Sequence, residues 1–204
     1  MWAAERSTIM SNFIRETSIG LQVLQSEDIL MTESRRLFLT TEIDPKTCDE
    51  LLKNLMLLNH VNPHKDITLF INSPGGDVYS GLAIFDYINI MPCKLITVVC
   101  GQVASMGSLL FLAGDERYCM EHSSLMIHGP SFGGGSLCGL KVNELEKRAK
   151  DLRRVLDETA TLIANATGKP KKSVLKLLDQ GEDIYYNSVS AIENNLATGM
   201  YNSY

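Results

Sequence analysis

Between residues 36 and 114 the chain alternates three times between a short apolar run and a helical pattern, and no other feature constrains the fold as strongly. RLFLTTEI, apolar from Leu37 to Leu39, reads as a strand. Asp44 then stands at a helix cap, with Pro45 at the first helical position, where a missing N–H costs nothing. Leu51, Leu52, Leu55, Met56 and Leu58 give that helix an apolar face. NPHKD is a turn, DITLFIN the second strand, and SPGGD opens a helix whose Val78, Leu82, Ile84, Phe85 and Ile88 are inward candidates. KLITVVC is the third strand and SMGSLLFLAG the third helix. This order predicts parallel βαβ units with right-handed crossovers, hence an α/β fold.

The remaining chain is read around that frame. The stretch to about Glu33 has weak periodicity and is expected to be an irregular arm, with room for a short helix or strand. DERYCMEHSSLMIHG supplies short strands with turns. A long helix is predicted from about Val142 to Thr167, because Leu145, Ala149, Leu152, Leu156, Ala160 and Ile163 recur at three- and four-residue steps. Gly168 ends it, and Pro170 opens another helix through Leu178. A last short helix is expected from about Ser188 to Leu196, with Ser190 and Glu193 at capping-box spacing. No repeat or low-complexity linker interrupts the 204 residues, so one domain is expected.

Charge and cysteine usage narrow the function classes. A net charge of -5 argues against nucleic acid as the main partner. Cys48, Cys93, Cys100, Cys119 and Cys138 are scattered, with no CxxC pair or Cys/His cluster to suggest zinc, and read as free thiols in a reducing compartment. The N-terminus, MWAAERSTIMSNFIRE, lacks the apolar core of a secretory signal, and no apolar run is long enough for a bilayer. A cytoplasmic protein is expected, or one of an equivalent organellar matrix.

Four pieces can carry chemistry. Two glycines in SPGGD, between a strand and a helix, let backbone N–H groups come close to a phosphate, a carboxylate or a developing oxyanion; a tight turn is the plainer reading. Ser105 joins a buried strand to a helix of small residues, a place for a helix cap, a small core residue or a nucleophile whose oxyanion the Met106 N–H would face. His128 ends the apolar strand SLMIH, where ligands gather at sheet mouths, and is either a base or a satisfied core histidine. His60, His64 and His122 read as surface residues. Asp179, Glu182 and Asp183 are candidate acids to orient the imidazole. Asp183, just before the run Ile184-Tyr185-Tyr186, is the one expected to be partly buried.

The strings INSPGGDVYSGLAIFD, GQVASMGSLLFLAG, LMIHGP and GEDIYYNSVSAIE, in that order, resemble the ClpP family, the proteolytic subunit of the ATP-dependent Clp protease, over roughly residues 36–200. The resemblance implies Ser105 as nucleophile, His128 as general base and Asp183 as the triad acid, with the N–H groups of Gly76 and Met106 as oxyanion hole. It implies a crotonase/ClpP-like spiral of βαβ units, residues 34–204, with a protruding handle of helix and strand over about 129–167. In GPSFGGGS, Gly133, Gly134 and Gly135 would leave room for varied substrate side chains beside an added strand. Residues 1–33 would form an arm at the axial pore. The implied protein cleaves unfolded polypeptides inside two stacked heptameric rings, alone or mixed with a second ClpP-type subunit. A hexameric AAA+ ATPase would feed it, since this chain has no ATP-binding motif and needs no cofactor or metal. The arm, MIHGP, GED and Asn194-Asn195-Leu196 depart from the family's usual strings and mark a divergent member. Two rivals follow: a catalytically weak or structural ring subunit, and, third in rank, a crotonase-type acyl-CoA enzyme.

Overall fold

A computed structural model describes residues 12–17, 20–131 and 139–202. Gly133, Gly134 and Gly135 lie outside these residues, as does most of the proposed handle strand; its described part, residues 129–131, is not in a strand.

The three alternations fold as their patterns require. Strand β3 (Arg36–Leu39) precedes helix α2 (Pro45–Val61), β4 (Ile67–Ser73) precedes α3 (Val78–Ile90), and β5 (Leu95–Ala104) precedes α4 (Met106–Leu112). β3, β4 and β5 pair in parallel in that order. β6 (Glu116–Cys119) extends the sheet in parallel beside β5, and β9 (Gly199–Met200) beside β6. β7 (Ser124–Ile127) pairs parallel with the far end of β5 and antiparallel with β8 (Ile184–Asn187). Leu39, Ile43, Leu55, Ile67, Leu69, Ile71, Ile84, Leu95, Leu110 and Phe111 are fully buried between the sheet and its helices.

Local signals explain the boundaries. The Asp44 carboxylate accepts from the Thr47 N–H at 2.7 Å and caps α2 as expected. The backbone leaving α2 is held by Arg35, itself buried, with φ +52. Its guanidinium donates to the carbonyls of Leu58, Asn62, Lys65 and Asp66. Leu58 lies in the last turn of α2 and also accepts from the Asn62 N–H, whereas the other three carbonyls lie beyond the helix, so the cation complements the helix dipole and ties down the turn that follows.

Some expectations need correcting. The N-terminal arm is more regular than its pattern suggests: β1 (Asn12–Thr17) and β2 (Gly20–Gln25) form an antiparallel pair, followed by helix α1 (Ser26–Thr32). Neither NFIRET nor GLQVLQ keeps a strict two-residue alternation of apolar and polar residues, so the pattern does not announce either strand. Met56 is 46% exposed, because Leu51, Leu55 and Leu58 already span the inward stripe of α2. The last helix, α7, covers Ser188–Glu193 and is capped by Asn187, whose side chain accepts from the Ser190 N–H. Ser190 therefore lies within the first turn and is not its cap.

Helix α5 (Val142–Thr167) has the predicted limits and ends at Gly168, φ +72. Only its second half packs on the domain, through Val155, Leu156, Thr159, Ala160 and Ile163; residues 141–150 are all exposed. At about 1.5 Å per residue, the exposed part projects by roughly two turns or more. Helix α6 (Lys171–Leu178) folds back on α5 with Val174 and Leu178 buried.

Candidate active site

Strand β5 organises the site because its partner changes along its length. Ile96–Val99 pair with β6, whereas Gln102–Ala104 pair with β7. The change falls at Gly101, with φ +97, and Gln102 donates its N–H to Asn72 Oδ1 at 3.1 Å. The strand then delivers Ser105 into the corner between β7 and α4.

Ser105 has φ +54 and ψ −124, a conformation that a side chain rarely adopts. Such a residue stores about 1–3 kcal/mol of strain and persists only where its surroundings hold it. Here its N–H donates to the Met126 carbonyl at 3.0 Å. The same carbonyl accepts from the buried Ser108 hydroxyl at 2.8 Å. Although Ser105 occupies the cap position of α4, its side chain makes no capping hydrogen bond. Of the readings open for this residue, the cap is the one its geometry does not fit.

The Gly-Gly turn packs directly against this serine. A Cβ on Gly75 would lie 2.8 Å from Ser105 Cβ and 3.0 Å from the Met106 nitrogen. The turn is fixed from behind: Ile43 donates its N–H to the Gly75 carbonyl at 2.8 Å and accepts from the Asp77 N–H at 2.7 Å. That one-rung bridge skips the Gly76 N–H, which an extended chain directs to the opposite side. Ser73 adds a brace that sequence reading passed over. Its hydroxyl donates to the Thr41 carbonyl at 2.6 Å and accepts from the Gly75 N–H at 3.2 Å. Met106 begins α4, so its N–H belongs to the helix-start groups with no carbonyl partner within the helix.

His128 and Asp183 are brought together by the β7–β8 ladder. Ile127 pairs with Ile184, and one step further along the same antiparallel register sets His128 opposite Asp183. His128 Nδ1 stands 3.6 Å from Asp183 Oδ1, beyond a good hydrogen bond but inside ion-pair range. His128 also lines one small cleft with Ser105, Val78, Met106, Leu109, Ile127, Pro130, Thr159 and Ile163. The expectation that Asp183 is partly buried fails: its side chain is 51% exposed, because the ladder ends at Ile184 and nothing covers the residue before it. Asp179 and Glu182 are exposed, and Asp179 pairs with Arg153 instead of approaching the imidazole. His60, His64 and His122 are exposed, as read from the sequence.

A hydroxyl on a strained turn, a helix start behind it, an imidazole in the same cleft and a carboxylate facing that imidazole suit acyl transfer through a serine nucleophile. Among the described residues, no three His, Cys, Asp or Glu side chains gather as a metal site, and no helix is long and apolar enough to cross a membrane. Cys48, Cys93, Cys100 and Cys119 are free thiols.

A model of the Clp protease family matches residues 22–202. The ATP-dependent Clp protease proteolytic subunit of Porphyromonas gingivalis is 34% identical over 191 residues, covering 93% of this chain and 83% of that one. Subunit 2 of the same protease from Corynebacterium efficiens is 33% identical over 192 residues, covering 92% and 93%. Subunit 1 from Chlamydia trachomatis serovar D is 33% identical over 179 residues, covering 87% and 91%.

Proposed function

The chain belongs to the Clp protease family and is a serine-type peptide hydrolase, and from that premise we propose that Ser105, His128 and Asp183 are its catalytic triad. Support comes above all from the strained Ser105, which shares a cleft with an imidazole whose Nδ1 faces Asp183. That orientation leaves Nε2 for the serine. Nε2 accepts the hydroxyl proton as Oγ attacks the scissile carbonyl carbon. The negative charge moves to the carbonyl oxygen, facing the N–H groups of Gly76 and Met106. A single such donor is typically worth ~3 kcal/mol at the transition state. The imidazolium then protonates the leaving amine as the C–N bond breaks, and an acyl-enzyme remains on Ser105. Water, deprotonated by His128, releases the acid and restores the serine. Apo geometry is often long at such contacts, and the 3.6 Å between His128 and Asp183 closes to a hydrogen bond in the working complex.

The wider reading follows from the family. The βαβ units wind as a spiral, the projecting half of α5 joins two heptameric rings, and residues 1–33 face the axial pore. Unfolded chains reach the enclosed serines by way of a hexameric AAA+ ATPase, in the cytoplasm. Gly133, Gly134 and Gly135, outside the described residues, are the candidates for substrate binding that the family likeness suggests. A second reading, a catalytically weak ring subunit, draws on the half-exposed Asp183 and its distance from His128.

The experiment is peptidase activity on a short fluorogenic peptide, alone and with a Clp-type ATPase, for wild type and Ser105→Ala. Wild-type turnover is expected, with loss of at least about a thousandfold in the variant. Fluorophosphonate labels Ser105 on the wild type alone. Equal activity in the two proteins would sink the assignment.

A further inference from the structure

Two ion pairs strap α6 onto α5. Lys171 and Asp157 meet at 2.7 Å at the first residue of α6, and Arg153 and Asp179 at 2.5 Å just past its last. The two pairs resemble each other in exposure and chemistry, yet they hold different things. Behind Lys171 lies only the turn between the helices. Behind Asp179 lies the segment that ends in Asp183.

That segment has few other restraints. Residues 179–183 are all exposed. Asp179 closes α6 by donating its N–H to the Leu175 carbonyl at 2.9 Å. Gly181, with φ +75, adds only a long 3.5 Å contact to Leu178. At its far end the segment is fixed by the rung between Ile127 and Ile184. Asp183 therefore sits between a ladder end, where pairing stops, and a helix end that Arg153 anchors. Arg153 also lines, with His128, Gly129, Leu152, Leu156 and Asp179, a cavity of about 500 Å³ beside the imidazole.

We propose that Arg153 is a positioning residue for the proposed catalytic pair: by gripping Asp179 it fixes the near end of the 179–183 segment and so sets how closely Asp183 approaches His128. The proposal rests on the triad reading above. It also gives α5 a grip on the reaction, because the arginine sits where that helix leaves the domain: residues 141–150 are exposed and burial resumes at Val155. Exposed pairs contribute little to stability, so loss of either ion pair leaves the fold standing while only one moves the acid.

The test compares Arg153→Met and Asp179→Asn with Lys171→Met, which removes the matching pair at the other end of α6. Steady-state kinetics on a short fluorogenic peptide are expected to show kcat down about tenfold in the first two, with KM within about twofold, as for a misplacement of a few tenths of an ångström. Lys171→Met stays within about twofold of wild type. Arg153→Lys keeps most of kcat, and the exchanged double variant Arg153→Asp with Asp179→Arg recovers most of what either single change loses. Arg153→Met tracking Lys171→Met, or a double variant as slow as the singles, would overturn the proposal. Ser105→Ala run alongside keeps the two levels apart: activity that survives it refutes the serine mechanism, whereas serine-dependent activity indifferent to Arg153 refutes only the positioning role.

Discussion

Replacing Gly75 by alanine puts a methyl group where the Gly-Gly turn meets the serine. Two costs follow. Gly75 has φ +94, and an L side chain held there costs about 1–3 kcal/mol in backbone strain. The methyl carbon would also lie 2.6 Å from the Ala104 carbonyl oxygen and 2.8 Å from Ser105 Cβ, against ordinary contacts of 3.4–4 Å. Neither neighbour can swing aside: one is backbone, and the other is the first atom of a side chain on a clamped residue. Overpacking of this kind typically costs a further ~1–3 kcal/mol. Together about 2–6 kcal/mol is lost, which for a chain of this length lowers Tm by roughly 4–24 °C.

Turnover suffers by a different route. To restore contact distance, the turn and the serine must separate by several tenths of an ångström, moving the Gly76 N–H away from the carbonyl that Ser105 would attack in the proposed mechanism. A misplacement near 1 Å can cost about a hundredfold, so kcat on a short peptide is expected to fall by about ten- to a hundredfold. Gly168→Ala isolates the first cost: Gly168 has φ +72 and nothing within 4 Å of its would-be Cβ. It is expected to lose about 1 kcal/mol with kcat unchanged. Differential scanning calorimetry and peptide kinetics on both variants decide the matter. A Gly75→Ala protein that melts with Gly168→Ala and turns over like wild type would refute the close packing of turn and serine.

Arg35→Met keeps the aliphatic stem but removes the four hydrogen bonds that the guanidinium donates to backbone carbonyls, of which the Leu58 carbonyl keeps a second donor in the Asn62 N–H. A loss of ~3 kcal/mol is expected, read as a lower urea midpoint at constant m, while kcat of the folded protein holds. An unchanged midpoint would show that the arginine is not a helix anchor. Burial pushes the thiols of Cys48, Cys93 and Cys119 above their ordinary value. The folded state therefore keeps protons that the unfolded chain releases, so stability is level below about pH 9 and falls as pH rises through the interval up to the raised values. Melting scans from pH 7 to pH 10 check this, and peptide mapping after iodoacetamide at pH 8 should find Cys93 and Cys119 unmodified. Modification of Cys119 at the rate of a free thiol would contradict it.

The strand and helix order was legible because each element carries its own period. A buried run such as DITLFIN declares itself, and the stripe from Leu145 to Ile163 fixes α5. Relations between elements were not legible. The β1–β2 pair is joined in an antiparallel register, Asn12 opposite Gln25 to Thr17 opposite Gly20, that neither segment's own pattern announces. The spacing of Ser190 and Glu193 suggests a capping box, but the structure caps α7 three residues earlier, at the extended backbone of Asn187. Ser105 illustrates the limit within one residue. Its place between strand and helix was visible, but φ +54 arises from three things together: the change of partner in β5, the Met126 carbonyl and the glycine packed opposite.

The carboxylate that faces His128 shows how a long-range relation decides what a local one leaves open. Asp179, Glu182 and Asp183 all lie within five residues of one another; the apolar run after Asp183 singles it out for partial burial, yet all three are exposed, so burial does not separate them. The β7–β8 register distinguishes them, because opposite residues of an antiparallel pair project to the same face. Ile127 faces Ile184, so the next residue outward on each strand is His128 and Asp183. Glu182 would need a slip that turns Tyr185 and Tyr186 to the wrong faces of β8, and a slip of one residue exchanges every side chain of a strand. The same ladder end that selects Asp183 also leaves it half exposed and 3.6 Å from the imidazole. Selection by register fixes which carboxylate faces His128; how near it comes depends on what holds the segment behind it, and the residue placed to do that is Arg153 on the helix that leaves the domain.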